Sequence, residues 1–440
     1  MSKLFKDKKV VVMGLGLHGG GVSAAKFFYK QGAKVLVTDL KTEDQLKDSI
    51  KKLGKIKVDY ALAGHREEDF KTADLIIKNP DVPNSSLYLK IAKENNIPIE
   101  TDISLFFKLT NAFTIGVTGT KGKSTTASLI YHILKTKFKN TFLVGNIGVS
   151  PLEIIFKIKK GDKVVLELSS FGLEDLKQSP NISVITNILP DHLNRYGDMS
   201  KYTESKKSIF KFQNKKDILI LNEEDPTVRE FSKETISKVY FYSAKTISKS
   251  IKIKDFKLIG DHNLSNFAAA ILVAKLLKIP VPKIDKAIKS FKGVSSRQEF
   301  VKEIKGVKYF NDTTATMPDA VIVAINAFSE KYLDSKLIFI CGGQNKELDF
   351  TELAKKIKER IEYLILLPGT ASEKIERDLL KYKYNKIYKV SSMENAVLRA
   401  KEISRFGDIV VLSPGAASFN LFKNEFDRGN HFVKAVKNLK

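Results

Sequence analysis

Residues 115–125 (IGVTGTKGKST) join a strand-like segment to a helix-like one through a glycine-bearing loop. The apolar run before the loop is rich in β-branched residues, which favours a strand, and a helical pattern extends from Thr126 to Leu134. This strand–loop–helix order is what a phosphate-binding loop requires. N–H groups at the helix start and the positive end of its dipole attract phosphate. We therefore expect a nucleoside triphosphate here, with Lys123 at its β- and γ-phosphates and Ser124 on Mg²⁺.

The loop differs from the general phosphate-binding motif at one position. That motif has glycine where this chain has Val117, so the match is to the shorter form T-G-T-x-G-K-[ST]. An ordinary glycine-rich turn is the alternative, and the motifs further along the chain favour the nucleotide interpretation.

Composition indicates a globular protein of several domains. Its 440 residues suffice for two to four domains, since single cores stop growing at about 250–300 residues. Cys341 is the single cysteine, which excludes a disulfide framework and suits a reducing compartment. No apolar run approaches the roughly 20 residues of a membrane span. We expect a cytoplasmic protein without a membrane partner.

The formal charge of +25 raises the alternative of a nucleic-acid-binding ATPase. The basic residues are dispersed along the chain, however, and only nine of the 75 are arginine. Proteins that bind bases and phosphates use arginine forks and clustered patches. Dispersed lysine is more simply a solvated surface, so we expect no nucleic-acid partner and a general attraction for small anionic substrates.

Short β-branched runs alternate with helical patterns along most of the chain, which predicts an α/β fold with parallel sheets. The pattern divides near residues 98 and 293 into three domains, 1–98, 99–293 and 294–440. The predicted strands are Lys9–Met13, Val35–Thr38, Asp74–Ile77, Phe113–Val117, Lys163–Leu168, Ile182–Ile185, Asp217–Leu221, Leu337–Cys341, Tyr363–Leu366 and Asp408–Leu412. The predicted helices of the first domain are Gly21–Gln31 and Ser85–Asn95.

Residues 14–19 (GLGLHG) fit a dinucleotide-binding fingerprint after a strand and before a helix, and Asp39 ends the second strand. An NAD-dependent oxidoreductase is therefore a competing hypothesis. The same geometry serves any nucleotide diphosphate, because the glycines only let the backbone approach phosphate.

Four further clusters follow the phosphate-binding loop, and each has residue types suited to a phosphate or metal site. Two asparagines three residues apart, Asn263 and Asn266, share one helical face. Glu167 ends a predicted strand, where ligands of open α/β sheets bind. The clusters are 166–171 (LELSSF), 187–196 (NILPDHLNRY), 202–210 (YTESKKSIF) and 260–269 (GDHNLSNFAA).

With these motifs the chain resembles the Mur ligase family, ATP-dependent enzymes that form amide bonds in peptidoglycan precursors. The tail 412–424 (LSPGAASFNLFKN), continuing to Arg428 and Gly429, is similar to the family pattern S-P-x-x-A-S-F-x-x-F-K-N-x-x-x-R-G. The resemblance covers essentially the whole chain. The tail and the D-H-x-x-R-Y loop are most similar to those of members that add D-glutamate to UDP-N-acetylmuramoyl-L-alanine.

The resemblance implies three domains and a shared reaction. An N-terminal Rossmann-like domain would bind the UDP-sugar, a central P-loop ATPase-like domain with a parallel or mixed sheet would bind ATP, and a C-terminal Rossmann-like domain would bind the amino acid. ATP would phosphorylate the substrate carboxylate, and the amine would then attack the acyl phosphate. The implied substrates are ATP, UDP-N-acetylmuramoyl-L-alanine and D-glutamate, and we expect a monomer.

The resemblance also implies roles for individual residues. The catalytic group would be Lys123, His192 and Lys206. Two Mg²⁺ ions would be held by Ser124, Glu167, His192 and Lys206, the last as a carbamate formed with CO₂. The ATP-binding residues would be Gly119, Thr120, Lys121, Gly122, Lys123, Ser124, Thr125, Asn263, Asn266, Arg297 and Asp312. The UDP-sugar-binding residues would be Leu17, His18, Asp39, Leu40, Lys41, Asn146 and Ser169. The D-glutamate-binding residues would be Thr316, Lys346 and Ser418.

Three positions depart from the family pattern. Thr314 stands where lysine is common, Gly172 where glutamine is common, and Glu425 where an aromatic residue often lies beside the amino-acid pocket. The first two departures change expected substrate contacts, and Glu425 changes the expected lining of the amino-acid side-chain pocket. A folylpolyglutamate-type ligase, which shares the loop and the carbamate, is the other alternative, although it would not be expected to carry the N-terminal nucleotide-sugar domain.

Overall fold

The computed structural model describes residues 4–17, 19–247, 260, 262–345, 347–418 and 421–439. Within this part of the chain there are three β-sheets with helices on their faces. The first two sheets belong to one compact unit, which also includes residues 265–287. The third sheet belongs to a second unit, which contains the described residues of 260–264 and those from 288 onward.

The first sheet has the strand order β3-β2-β1-β4-β5, and all its pairs are parallel. Its strands are β1 (Lys9–Met13), β2 (Lys34–Asp39), β3 (Asp59–Leu62), β4 (Leu75–Lys78) and β5 (Ile99–Glu100). Its helices are α1 (Gly20–Lys30), α2 (Glu43–Leu53), α3 (Glu67–Lys71) and α4 (Leu87–Glu94). The order reverses between β1 and β4, and such switch points are where open α/β sheets bind ligands. The loop that begins at Gly14 lies at this point.

The second sheet has the order β11-β10-β9-β6-β8-β7, and it is also parallel throughout. Its strands are β6 (Phe113–Thr118), β7 (Thr141–Gly145), β8 (Lys163–Glu167), β9 (Ile182–Ile185), β10 (Ile218–Asn222) and β11 (Lys238–Tyr242). The helices from this part of the chain are α5 (Asp102–Leu109), α6 (Lys123–Leu134), α7 (Pro151–Ile154), α8 (Ser170–Leu173), α9 (Leu193–Tyr196), α10 (Met199–Lys211), α11 (Pro226–Glu230), a 3₁₀ helix (Phe231–Glu234), α12 (Ala244–Ile247), α13 (His262–Leu276) and α14 (Val281–Ser290).

The third sheet has the order β12-β13-β17-β14-β15-β16 and is mixed, because its edge pair β12–β13 is antiparallel. Its strands are β12 (Glu299–Ile304), β13 (Val307–Asn311), β14 (Leu337–Gly342), β15 (Tyr363–Leu367), β16 (Ile387–Lys389) and β17 (Ile409–Leu412). Its helices are α15 (Pro318–Lys331), α16 (Thr351–Arg360), α17 (Thr370–Leu380), α18 (Met393–Ile403) and α19 (Glu425–Asn438).

Apolar side chains on both faces of the parallel strands build the core. Strands β4, β9, β14 and β17 are buried along their whole length, which is typical of parallel sheets covered by helices on both sides. One core cluster runs from the first sheet into the second, and α1 packs against α7 across it. The first two sheets therefore form one packed body.

The predicted α/β fold with three domains is confirmed. Strands β1 and β9 have the predicted bounds, and most other predicted strands differ by one residue at an end. The central sheet is parallel and the C-terminal one mixed, whereas the sequence had left the mixed arrangement open for the central sheet. Among the described residues, no helix combines the length and the apolar character needed to cross a bilayer.

Candidate functional site

The loop between β6 and α6 forms a cradle of backbone groups. Gly119 has φ 143° and Gly122 has φ 84°, both in the region that favours glycine. A Cβ on Gly119 would collide with the Thr186 hydroxyl, and one on Gly122 would collide with the Asn266 amide. The helix begins at Lys123, directly after Gly122. The glycines therefore allow neighbouring elements to approach the loop. The first backbone N–H groups of the helix have no intrahelical acceptor, and such groups can bind an anionic ligand.

The segment after β9 holds this cradle in place. Thr186 Oγ1 donates to the Lys121 carbonyl at 2.6 Å, and the Asn187 side chain accepts from the Lys121 N–H at 2.8 Å. Thr120 N donates to the Asn187 carbonyl at 2.8 Å, and Leu189 N donates to Thr120 Oγ1 at 2.9 Å. Because strands β9 and β6 are neighbours, these bonds fix the loop before any ligand binds.

Lys206 projects from α10 beneath the loop. Its ammonium donates to the Gly119 carbonyl at 3.1 Å and lies 4.6 Å from the centre of the Tyr202 ring. Tyr202, Lys206 and Phe210 recur at helical spacing and are all buried. The pKa of Lys206 is lowered to about 7, mainly by burial and also by the charge of Lys123, while Asp191 opposes the shift. An uncharged amine is thus accessible at neutral pH.

Lys207, the next residue on α10, has a different environment. It forms ion pairs with Glu204 at 3.1 Å and Glu234 at 2.7 Å. Partial burial lowers its pKa, but hydrogen bonds to Glu234 and Glu204 outweigh that effect and raise it. Lys206, and not Lys207, is therefore the lysine that faces the loop.

Glu167 ends β8, next to the strand that leads into the loop. Its side chain is buried, and Oε2 has no hydrogen-bond partner among the residues that the structure describes. Ser124, on the first turn of α6, is also buried. A buried carboxylate oxygen without a donor is costly unless a cation or a donor completes it, so this edge of the sheet suits a metal ion.

His192 lies in the loop after β9 with φ 53°, a left-handed conformation for a non-glycine residue. Burial lowers its pKa, the charges of Lys123, Lys206 and Lys121 lower it further, and Asp191 opposes the shift. The imidazole is therefore neutral at pH 7, the form that binds metals. The mutual electrostatic effects show that Lys123, His192 and Lys206, the three predicted catalytic residues, lie close together.

No group of three or more His, Cys, Asp or Glu residues suitable for a metal ion occurs among the residues that the structure describes. Glu167 and His192 are the predicted metal ligands of these types, and the Asp191 carboxylate lies 3.8 Å from the Lys121 ammonium. A metal ion at this edge would therefore also need donors of another kind, such as the Ser124 hydroxyl.

The two predicted adenine-binding asparagines lie on α13 and are buried. Asn266 accepts a hydrogen bond from Thr126 Oγ1 at 3.1 Å, so it packs against the first turns of α6. Asn263 lies one turn earlier on the same helix. Asn266 therefore stabilises the start of α6, in addition to its predicted role in adenine binding.

The predicted UDP-sugar residues of the first sheet surround the Gly14 loop. Asp39 is buried, and its carboxylate accepts from the backbone N–H groups of Gly16 at 3.1 Å and Lys41 at 3.0 Å. Leu17 and Leu40 are exposed, and His18 lies outside the described residues. Asp39 thus ties the first loop to the segment after β2, a role that the fingerprint alone did not predict.

The two predicted sugar-binding residues of the second sheet lie at the carboxyl ends of β7 and β8. Asn146 donates its backbone N–H to the Glu167 carbonyl at 3.1 Å. Ser169 accepts from the Gly172 N–H at 3.1 Å and caps α8. A Cβ on Gly172 would make only ordinary contacts, so the departure from the family pattern is not a steric requirement.

The remaining predicted residues lie in the second compact unit. Asp312 is buried and accepts from Ser413 Oγ at 2.9 Å and from the Gln298 N–H at 3.2 Å. Arg297, beside Gln298, is exposed. Thr316 and Ser418 occur in the segments after β13 and β17, at the same edge of the sheet. Lys346 lies outside the described residues.

Several residues whose hydrogen bonds support the site were not predicted from the sequence. Tyr202 is buried, and its hydroxyl lies 3.1 Å from Thr120 Oγ1. Arg195 donates to Glu174 at 2.9 Å and to the carbonyl of Asp81, after β4, at 2.9 Å, while Tyr196 donates to Glu174 at 2.6 Å. These residues were visible as parts of the YTESKKSIF and NILPDHLNRY motifs, but the motifs alone could not show their contacts.

Three family models cover most of the chain. They are the Mur ligase MurD-like N-terminal domain over residues 8–101, the Mur ligase middle domain over 117–274, and the Mur ligase glutamate ligase domain over 296–415. Together with the full-length relatives below, they show that the chain belongs to the Mur ligase family.

Two similar full-length relatives carry the same name. The chain is 38% identical to the UDP-N-acetylmuramoylalanine–D-glutamate ligase of Roseiflexus sp. (strain RS-1), over 98% of this chain and 99% of the relative. It is 35% identical to the protein of the same name from Alkaliphilus metalliredigens, over 99% of both chains. Among solved structures, the UDP-N-acetylmuramate–alanine ligase MurC of Thermotoga maritima has a TM-score of 0.65 at 20% identity, over 98% of this chain and 100% of that one.

Asp312 gives a pH-dependent prediction. Burial raises its pKa to about 7, with hydrogen bonds from Ser413 and Gln298 opposing the shift. The folded protein thus holds a proton that the unfolded chain releases near pH 4, so this group's contribution to stability is lost as the pH rises from about 4 to 7. Asp312→Asn should therefore gain roughly 1–3 kcal/mol relative to wild type between pH 5 and pH 8.

The measurement is the thermal melting temperature of both proteins across that range. Asp334→Asn, at an exposed aspartate, is the matched control and should show no such divergence. A constant difference between Asp312→Asn and wild type at every pH would contradict the protonated state of Asp312.

Proposed function

We propose that this protein is an ATP-dependent ligase that adds D-glutamate to UDP-N-acetylmuramoyl-L-alanine and releases ADP and phosphate. The proposal rests on the surroundings of one glycine loop. The charge of Lys123 lowers the pKa of the buried Lys206 there, and Glu167 ends the strand beside β6 with a buried Oε2 that has no hydrogen-bond partner among the described residues. The shared name of the full-length relatives supplies the substrates.

In the first step, the carboxylate of the UDP-sugar substrate attacks the γ-phosphorus of ATP. An acyl phosphate forms and ADP leaves. The N–H groups at the start of α6 would bind the phosphate oxygens, and Lys123 would neutralise the charge that develops between the β- and γ-phosphates. Lys123 now donates to the Thr120 carbonyl at 2.8 Å, so it is already folded over the loop that the phosphates would occupy.

The residues at the loop fit Mg²⁺. Ser124 and Glu167 would hold one ion. Glu167 Oε2, at the end of β8, has no hydrogen-bond donor among the described residues, and Ser124 on the first turn of α6 is buried. Neutral His192 and a modified Lys206 would hold the second. When bound, the ions would supply positive charge to the transferring phosphoryl group.

Lys206 is proposed to carry a carbamate. CO₂ would add to its neutral amine and release one proton, which turns a cation into a group with two oxygen donors and a negative charge. The burial of Lys206 and its hydrogen bond to the Gly119 carbonyl support this assignment, and the Tyr202 ring covers one side of the amine. The carbamate would provide the additional oxygen donors that Glu167 and His192 alone do not.

In the second step, the free amine of D-glutamate attacks the acyl carbon. A tetrahedral intermediate forms, phosphate leaves, and an amide bond remains. Thr316, Lys346 and Ser418 are the proposed D-glutamate ligands, and Arg297 and Asp312 the proposed ATP contacts from the third domain. The UDP-sugar would bind at the Gly14 loop through Leu17, His18 and the segment 39–41, with Asn146 and Ser169 near its diphosphate and muramoyl group.

We also propose the three functional divisions near residues 98 and 293, one for each substrate. We further propose that the protein acts as a cytoplasmic monomer.

The substrate test is phosphate release with UDP-N-acetylmuramoyl-L-alanine against a panel of D- and L-amino acids. We expect turnover to require ATP, the UDP-sugar and D-glutamate together, since the acyl phosphate forms only on the bound carboxylate. L-Glutamate is the matched control, with the same charge and the opposite configuration. Equal release with L-glutamate, or release without the UDP-sugar, would refute the proposal.

The carbamate test uses Lys206→Ala, with Lys207→Ala as the control at the neighbouring position. Lys206→Ala should lose most acyl-phosphate formation while ATP and the UDP-sugar still bind, because a negative ligand is missing. Acetate should restore part of the activity by filling the vacated space. Lys206→Arg should not respond to acetate, since its side chain fills that space with positive charge.

Binding of both substrates is measured by calorimetry, which separates lost chemistry from lost folding. Full activity in Lys206→Ala would disprove the carbamate. Loss of activity in Lys207→Ala with retention in Lys206→Ala would move the assignment by one residue.

A further inference from the structure

Arg428, on the first turn of α19, is a buried cation whose partners are all neutral. It is among the largest fully buried side chains of the described chain, at 1% exposure. Its Nε donates to Thr313 Oγ1 at 3.1 Å, and its terminal nitrogens donate to the carbonyls of Thr313 and Ala416 at 3.0 Å each. These three bonds use three of the five guanidinium N–H groups.

A buried charge is normally paired with an opposite charge, because desolvation costs several kcal/mol otherwise. No carboxylate in the described part of the chain lies within 4.0 Å of the Arg428 nitrogens. Burial lowers the pKa of Arg428 to about 10, and Glu425 opposes the shift, so the group remains protonated at neutral pH. The third domain therefore holds a positive charge without an ion-pair partner among these residues.

This charge lies at the carboxyl edge of the third sheet, where parallel sheets bind ligands. Arg428 and Ser418 line the same small cavity, together with Gly342 and Gly343 at the end of β14. One of the two carbonyls that accept from Arg428 belongs to Ala416, two residues before Ser418. Arg428 thus supports the segment that would contact the amino acid and places a full positive charge behind it.

Glu425 begins α19, one helical turn before Arg428. It is the carboxylate whose charge raises the pKa of Arg428. Its backbone carbonyl accepts from Thr313 Oγ1 at 2.8 Å, which anchors it to the same segment that Arg428 holds. Its side chain is partly exposed, so its charge is more strongly screened than that of Arg428.

We propose that Arg428 and Glu425 set the charge preference of the amino-acid pocket, with Arg428 favouring a substrate with two carboxylates and Glu425 weakening that preference. This inference rests on the proposed function and deepens it. Arg428 acts through the electrostatic field of the pocket and through the position of Ser418, and it does not contact the substrate.

The physical basis is the difference in screening. A charge in a buried site acts over several ångströms with an effective dielectric constant near 20, whereas an exposed charge is weakened by water and salt. An amino acid with a second carboxylate gains from the Arg428 field, and an isosteric amide does not. Glu425, near the same site, subtracts part of that gain.

The experiment compares D-glutamate with D-glutamine, which has the same shape and one carboxylate fewer. The selectivity is the kcat/KM for D-glutamate divided by the kcat/KM for D-glutamine. If D-glutamine is not turned over, the selectivity is the D-glutamine inhibition constant divided by the KM for D-glutamate. Arg428→Met should lower this ratio about tenfold or more, equivalent to about 1.4 kcal/mol. Arg428→Lys should keep most of the ratio because it keeps the charge. Glu425→Gln should raise the ratio about threefold, mainly through a lower KM for D-glutamate.

Added salt and melting temperatures separate electrostatics from packing. The Glu425→Gln gain should shrink as salt rises, and a purely structural role of Arg428 would give Lys and Met variants with equal losses. If Arg428→Met fails to fold by circular dichroism, Glu425→Gln decides alone, since its side chain is partly exposed. An unchanged ratio in Glu425→Gln, or equal losses in the two Arg428 variants, would overturn the inference. Absence of D-glutamate-dependent phosphate release in the wild type would instead refute the proposed function.

Discussion

The close approach of three backbone segments around Gly119 and Gly122 is the constraint on which the site depends. The two glycines let Thr186 and Asn266 pack where a side chain would collide. The segment after β9 can then hydrogen-bond the loop, and α10 can direct Lys206 at the Gly119 carbonyl. The backbone N–H groups at the helix start are therefore positioned before a nucleotide binds, which is how such a cradle avoids paying an ordering cost on binding.

The first two domains are joined close to this cradle. Arg195 bridges Glu174 in the central domain and the Asp81 carbonyl of the N-terminal domain, while it stacks on Phe171 at 4.3 Å. His192 lies three residues before Arg195 and also contacts the Phe171 ring, with centroids 4.8 Å apart. The loop that presents His192 is thus fixed by contacts to elements of both the first and the second sheet.

Much of the fold was predictable because apolar β-branched runs and the glycine loops are local signals. Strands such as β3 and β5 were missed, since β3 is partly exposed and β5 has only two residues. The site residues were predicted by motif, but their contacts were not. Asp39 illustrates the limit. Its position predicted UDP-sugar binding, whereas its carboxylate accepts two backbone N–H groups that only the folded loops bring together. The neutral surroundings of Arg428 likewise depend on segments more than 100 residues apart in sequence.

The negatively charged ligand that we propose beside the loop between β6 and α6 is a carbamate on Lys206. It can be detected by ¹³C NMR of the protein equilibrated with ¹³C-bicarbonate at neutral pH. One carbamate resonance should appear in the wild type, persist in Lys207→Ala and be absent in Lys206→Ala. If the wild type shows no such resonance, or if the resonance remains in Lys206→Ala, Lys206 does not carry the carbamate.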